Sequence, residues 1–142
     1  MKFVLFIISI LMLAACASKT AEQMAFPTTC READDGKYVA IGGYLTDGGS
    51  LYCSNTGGRM DCNFTLMEKP DGGAKILASI AQGSGASSIE DFGDSYKKSD
   101  LKIHDNSGGM VKVGDKVTLT GKFSVVPGGN SCFITVDKIE KQ

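Results

Sequence analysis

The stretch Lys116-Val-Thr-Leu-Thr-Gly-Lys-Phe-Ser-Val125 decides the fold of this chain, because apolar and polar side chains alternate along its whole length. Alternation with a period of two predicts an extended strand that buries one face. The predicted buried face holds Val117, Leu119, Gly121, Phe123 and Val125. A glycine-rich turn at 127–130 then leads into another predicted strand over 131–139.

Earlier segments of the chain repeat this pattern of strands separated by glycine-rich turns. The predicted strands cover 37–45, 50–55, 60–67 and 75–81. Inside the first of them, the pair Gly42-Gly43 indicates a bend or a close backbone approach. Ser87-Ser88-Ile89-Glu90 matches a capping box, which predicts a short helix that continues to about Phe92. The expected fold class is therefore all-β with one short helix.

The first fifteen residues are typical of a secretory leader. Lys2 supplies a positive charge, and the apolar run from Phe3 to Leu13 is only about half as long as a membrane-spanning helix. The leader ends in Leu13-Ala14-Ala15-Cys16, which resembles the lipobox of bacterial lipoproteins. That resemblance implies cleavage before Cys16, a diacylglycerol thioether on its sulfur and an acylated amino terminus. The alternative is an ordinary secreted protein with a cysteine near its cleavage site.

The expected location of the protein in the cell follows from the same resemblance to lipoproteins. A lipoprotein of this kind is expected in the bacterial cell envelope, held at a membrane by the lipid on Cys16. Ala17 follows the cysteine, where inner-membrane lipoproteins of enterobacteria carry aspartate. By resemblance to that sorting rule, the sequence favours the outer membrane, with the protein facing the periplasm.

Length and charge limit what the mature chain can be. Removing residues 1–15 from the 142-residue sequence leaves 127, which is enough for one domain. We assign 16–36 to the lipidated amino terminus and a flexible tether, and 37–142 to the folded domain. Because Lys2 leaves with the leader, 14 basic residues face 16 acidic ones, for a net charge of −2. A chain without a basic stripe is not expected to bind nucleic acid.

The cysteine count agrees with a lipidated Cys16. The sequence has five cysteines, and if Cys16 is lipidated, an even number remains: Cys30, Cys53, Cys62 and Cys132. In an oxidising compartment four cysteines predict two disulfides, with three possible pairings. A metal site is the weaker alternative, because the four are spread along the chain and His104 is the only histidine.

One pairing can be argued from a hairpin register. A two-residue turn at Gly57-Gly58 is favoured because both positions need positive φ. Counting outward from that turn places Cys53 opposite Cys62 on a non-hydrogen-bonded rung, where Cα atoms come close enough for a disulfide. By elimination Cys30 then pairs with Cys132. A different turn would shift this register and change the pairing.

Three segments resemble strands of OB-fold proteins, small closed β-barrels. Val113-Gly-Asp-Lys-Val-Thr-Leu-Thr-Gly-Lys122 resembles the fourth strand of that fold, 133–139 the fifth, and the glycine-bent 37–45 the first. The resemblance implies a small antiparallel OB-like β-barrel, as in secreted OB-fold proteins of bacterial envelopes. The strand pair over 50–67 and the long segment 82–114 depart from the minimal fold. The rival architecture is a β-sandwich or another small antiparallel barrel.

The resemblance also implies where a ligand would bind. OB-folds bind oligomers on the face of strands two and three and on the flanking loops. The candidate binding face here consists of Tyr52, Arg59, Asn63, Thr65 and Met67. We therefore expect a non-enzymatic binding or structural module for a protein or glycan partner in the envelope, without cofactor, metal or catalytic residues. An alternative is a periplasmic protein that binds a small ligand, as in a stress response.

Other polar groups support weaker hypotheses. His104 with Asp100 and Asp105 could form a catalytic or metal cluster, as in an envelope hydrolase or a metal-dependent enzyme, although no activated serine or cysteine accompanies them. The acidic turns at 47–49 and 71–73 could touch Ca²⁺, but their spacing matches no EF-hand and turn chemistry alone explains them. The segment from Gly83 could cradle an anion, but it lacks the lysine of a phosphate-binding loop, and a linker is the simpler interpretation.

Overall fold

A computed structural model describes residues 19–49, 51–93, 95–128 and 131–142 of the chain. The leader, the lipobox and Cys16 lie outside these residues. The strands are β1 (Glu22–Gln23), β2 (Tyr38–Thr46), β3 (Tyr52–Thr56), β4 (Arg59–Lys69), β5 (Gly72–Ala81), β6 (Ser88–Ile89), β7 (Ile103–His104), β8 (Met110–Val111), β9 (Lys116–Val125) and β10 (Cys132–Lys141). No helix among the described residues is long and apolar enough to cross a membrane.

Five of these strands close into a barrel. Strand β2 pairs with β9, β9 with β10, β10 with β5, β5 with β4, and β4 with the end of β2. All pairs in this ring are antiparallel except β5 with β10, which run parallel. The predicted small OB-like barrel is therefore confirmed, and the closed ring excludes the rival β-sandwich.

The barrel interior is filled by the alternating apolar residues that the sequence predicts. In β9, for example, Val117, Leu119 and Phe123 are fully buried, whereas Lys116 and Lys122 are exposed. Gly43 explains the glycine pair in β2, because a Cβ atom on it would lie 2.7 Å from the backbone oxygen of Met67. The close approach lets β2 bend from β9 toward β4 and so helps to close the ring.

A small second sheet, rather than a helix, covers one part of the core. Strands β6, β7 and β8 pair in that order and bury Ile89, Ile103 and Val111. The short helix predicted from Ser87 is therefore wrong at this place. Ser87 has a φ of +56°, and the Ser88 hydroxyl donates to the Gly85 carbonyl instead of capping a helix. The two helical turns of the described chain are short 3-10 segments at Glu32–Asp34 and Lys98–Asp100.

The amino-terminal segment contacts the barrel earlier in the chain than the sequence indicated, from Glu22 onward. Strand β1 lies parallel to the start of β2, and the Met24 N–H donates to the Ala40 carbonyl at 3.0 Å. Met24 and Phe26 then pack against the core. The prediction that 16–36 forms a flexible tether is thus wrong from Glu22 onward, because this part of the chain has backbone and apolar partners on the barrel.

Both predicted disulfides are present. Cys53 faces Cys62 across the β3–β4 hairpin in the expected register, with Cα atoms 4.0 Å apart. Cys30 is bonded to Cys132 at the start of β10, with Cα atoms 5.5 Å apart. The first clamps the extra strand β3 to the barrel, and the second fixes the amino-terminal segment to the last strand.

Candidate functional site

A groove of about 500 Å³ runs along the outer face of β4 and β5. The turn that contains Gly48 lies at one side, and the Cys30–Cys132 disulfide with Ser131 lies at another. In the order of the barrel strands, β4 and β5 are the second and third. The groove therefore occupies the face and flanking loops that OB-folds use for binding.

Side chains from neighbouring strands meet in the groove through the sheet register. Asn63 of β4 lies opposite Tyr52 of β3, and Thr65 of β4 lies opposite Leu77 of β5. Tyr52 is 65% exposed and Leu77 is 49% exposed, which is high for large apolar side chains. The groove thus presents an aromatic ring and an aliphatic side chain on either side of an amide and a hydroxyl.

The charge of the groove is low. Lys75 is the single charged residue among those that line it. Gly48 approaches the opposite wall closely, because a Cβ atom at its position would lie 2.6 Å from the Thr65 hydroxyl oxygen. Its φ of +61° also favours glycine, so the turn can close on Thr65 only without a side chain. Such a surface suits a neutral ligand better than a polyanion.

Three of the five predicted binding residues meet in this groove, and two do not. Tyr52, Asn63 and Thr65 line it, whereas Arg59 and Met67 are not among its lining residues. Arg59 instead pairs with Asp61 at the tip of the hairpin, with Nε and Oδ1 3.1 Å apart.

Seven other residues that line the groove were not predicted as binding residues. Lys75, Leu77 and Ser131 are among them. The alternation in the segment 75–81 places Leu77 opposite to the buried face, so an outward-pointing leucine was the available signal. Ser131 is brought in only by the parallel pairing of β10 with β5, which local sequence does not reveal.

His104 forms a separate polar link at the small sheet. Its Nε2 lies 2.6 Å from Glu90 Oε1, and its Nδ1 lies 3.1 Å from the Gly108 carbonyl oxygen. Both partners accept hydrogen bonds, so the doubly protonated imidazolium fits this arrangement best. The Glu90 hydrogen bond, followed by that of the Gly108 carbonyl, raises the pKa of His104 above its ordinary value of 6.5. The hydrogen bond from His104 in turn lowers the pKa of Glu90.

This link predicts a pH-dependent contribution to stability. A raised histidine pKa stabilises the fold fully below the ordinary value, and that contribution is lost as pH rises through the folded pKa. The lowered pKa of Glu90 has the opposite sign, so its contribution is lost in acid. We expect NMR titration of the single histidine to give a pKa above 6.5 and Glu90→Gln to lower it. Lys102→Gln should not lower it, because Lys102 acts against protonation.

The predicted cluster of His104 with Asp100 and Asp105 does not form. Asp105 accepts hydrogen bonds from the Ser107 hydroxyl and the Gly109 N–H within its own turn, and these lower its pKa. Asp100 accepts from the backbone N–H of Lys97. Both carboxylates therefore cap turns, and the carboxylate that contacts the imidazole is Glu90.

The first of the two acidic turns, at 47–49, is explained in a similar way. Asp47 accepts from the Gly49 N–H at 2.9 Å and pairs with Lys98. No group of three or more potential metal-ligating residues occurs in the described part of the chain.

The chain matches no protein-family model, no curated protein and no solved structure.

Proposed function

We propose that this chain is a lipid-anchored bacterial envelope protein that acts as a non-enzymatic binding module. The partner, an envelope protein or a glycan, binds in the groove on β4 and β5. The observation that carries the proposal is the groove itself, with exposed Tyr52 and Leu77 beside Asn63 and Thr65. An aromatic ring can stack on a sugar or seat an apolar side chain, and the amide and hydroxyl can supply directional hydrogen bonds.

The anchor is Cys16, on the strength of the lipobox resemblance, with the outer membrane as the expected location. Six residue steps separate Cys16 from Glu22, where pairing with the barrel begins. A chain of that length spans at most about 21 Å when it is fully extended. This short connection keeps the barrel close to the lipid surface, within reach of partners that are also confined to the envelope.

Replacing Cys16 tests the anchor. We expect Cys16→Ser to move the protein from the membrane fraction to the soluble fraction, because stable attachment depends on the acyl chains of this residue. Tyr52→Ala, which leaves the amino terminus intact, is the matched control and should stay with the membrane. Continued pelleting of Cys16→Ser with membranes would contradict the proposed anchor.

The binding role is tested by photo-crosslinking from the groove. A photoreactive residue at Tyr52 should give a discrete product in the native envelope, whereas the same residue at Arg59, outside the groove, should not. Binding of a small periplasmic ligand is the second candidate, since a groove of about 500 Å³ is also within the range for small-molecule sites. In that case neither position would yield a macromolecular product.

A further inference from the structure

A second cleft shares no lining residue with the groove, although its Asp47 and Leu51 are the chain neighbours of Gly48 and Tyr52 in the groove. Its volume is about 400 Å³, and it lies between the turn at Asp47 and the small sheet of β6, β7 and β8. Core residues reach its floor: Phe64, Ile103 and Val111 line it although each is about 3% exposed. The cleft therefore extends inward to the apolar core of the barrel.

The mouth of this cleft is also apolar. Met110 is 41% exposed and Val113 is 56% exposed, and both belong to the few large hydrophobic residues that the described chain leaves open to solvent. Leu51 and Leu101 are half-buried along the walls. A continuous apolar path thus leads from solvent to the core, which is unusual because interiors of small domains are close-packed.

Positive charge surrounds this apolar path. Lys98, Lys102 and Lys112 line the cleft, against a single carboxylate, that of Asp47. Lys98 pairs with Asp47, and Lys102 pairs with Glu90, whose carboxylate also holds His104. Both lysine pairs are partly exposed, so neither holds its ammonium group strongly. No salt bridge joins Lys112 to a carboxylate in the described part of the chain, although its charge helps to lower the pKa of Asp115.

We propose that this cleft binds a single-chain anionic amphiphile, such as a fatty acid. The alkyl chain would enter between Met110 and Val113 toward Phe64, and the carboxylate would remain at the rim with Lys112. Charge complementarity selects this ligand class, because a neutral chain would use only the apolar path and a cationic head would meet three lysines. The proposal does not depend on the groove or on the anchor, since all its residues lie elsewhere.

Calorimetry with decanoate tests the proposal, on the mature chain with Cys16→Ser so that no detergent competes. We expect saturable one-to-one binding, with decyltrimethylammonium at least about tenfold weaker because its head has the opposite charge. Affinity should fall about fourfold for each methylene removed from the chain, as expected for about 0.8 kcal/mol per buried group.

Two matched lysine variants locate the binding site. Lys112→Gln should weaken decanoate binding several-fold, because a charge-assisted contact is lost. Lys75→Gln removes the same charge from the groove and should leave the affinity unchanged. Both side chains are exposed and unpaired in the described structure, so neither change should affect folding.

Four results would overturn the proposal. They are equal affinity for the cationic and anionic amphiphiles, affinity that is independent of chain length, a loss of binding in Lys75→Gln instead of Lys112→Gln, and no saturable binding below the micellar concentration. The second of these would point to a purely ionic contact at the surface, and the third would move the ligand to the groove.

Discussion

Gly121→Ala should cost about 3 kcal/mol in the free energy of unfolding, at the upper end of typical overpacking penalties. Gly121 lies in β9 opposite Val136 of β10. A Cβ atom at this position would lie 2.9 Å from the Thr135 carbonyl carbon and 3.1 Å from the Val136 Cα, and closer still to the Thr135 oxygen. These are backbone atoms, so the contact can be relieved only if the two strands move apart.

The local geometry explains why the strands come so close. The register of β10 against β9 shifts between Val136 and Lys138, which indicates an irregularity in β10 directly after the position that faces Gly121. Such irregularities bend a strand and increase its twist, as barrel closure requires. Gly121 therefore allows the sheet to bend sharply at the β9–β10 pair.

Gly42→Ala is the matched control for this prediction. Gly42 also lies within a barrel strand, β2, but a Cβ atom there would meet only the Thr118 hydroxyl oxygen at 4.0 Å. We expect urea unfolding of Gly42→Ala to differ from wild type by less than about 1 kcal/mol, since alanine fits this extended backbone. Equal losses of unfolding free energy in both variants would show that the close approach at Gly121 does not cause the destabilisation of Gly121→Ala.

Removing the Cys30–Cys132 disulfide should destabilise the protein more than removing Cys53–Cys62. The two bonds join residues 102 and 9 positions apart in the sequence. In the chain-entropy treatment, closing a loop of about 100 residues contributes about 4.7 kcal/mol, and closing one of about 10 residues contributes about 2.7 kcal/mol. The expected difference in the free energy of unfolding is therefore about 2 kcal/mol.

The two disulfides provide controls for each other. Each joins one buried cysteine, Cys132 or Cys62, to one half-buried cysteine, Cys30 or Cys53. Replacement of either pair by alanine therefore removes similar buried volume, and the loop length is the main difference. Urea unfolding of Cys30→Ala/Cys132→Ala and Cys53→Ala/Cys62→Ala measures both losses. A larger loss for the hairpin pair would contradict the assigned roles of the two bonds.

The sequence was sufficient to predict the barrel where local pattern and topology agree. The alternation in 116–125 and the Gly57-Gly58 turn led to β9, to the β3–β4 hairpin and to the Cys53–Cys62 bond. The same local reasoning was wrong at Ser87, because a capping-box pattern is weaker than burial of Ile89 in a sheet with Ile103. It also missed β1, whose two exposed polar residues, Glu22 and Gln23, carry no strand pattern of their own.

The candidate groove was only partly predictable for a related reason. Tyr52, Asn63 and Thr65 lie on adjacent strands of one hairpin, so their meeting follows from a local register. Lys75 and Leu77 join through β5, and Ser131 joins through the parallel contact of β10 with β5, which brings together residues more than fifty positions apart. The contact between His104 and Glu90 could not be predicted for the same reason, because it depends on a small sheet that the sequence pattern did not indicate.

Site-specific photo-crosslinking in the native envelope tests the central claim, that a partner occupies the groove. The photoreactive residue is placed at Tyr52 or Leu77 inside the groove, and at Arg59 or Lys116 outside it, with wild-type Cys16 in each case. We expect the same crosslinked protein or glycan from both groove positions and no such product from the other two. A product from Arg59 or Lys116 but not from Tyr52 or Leu77 would contradict the claim and place the partner on another face of the barrel.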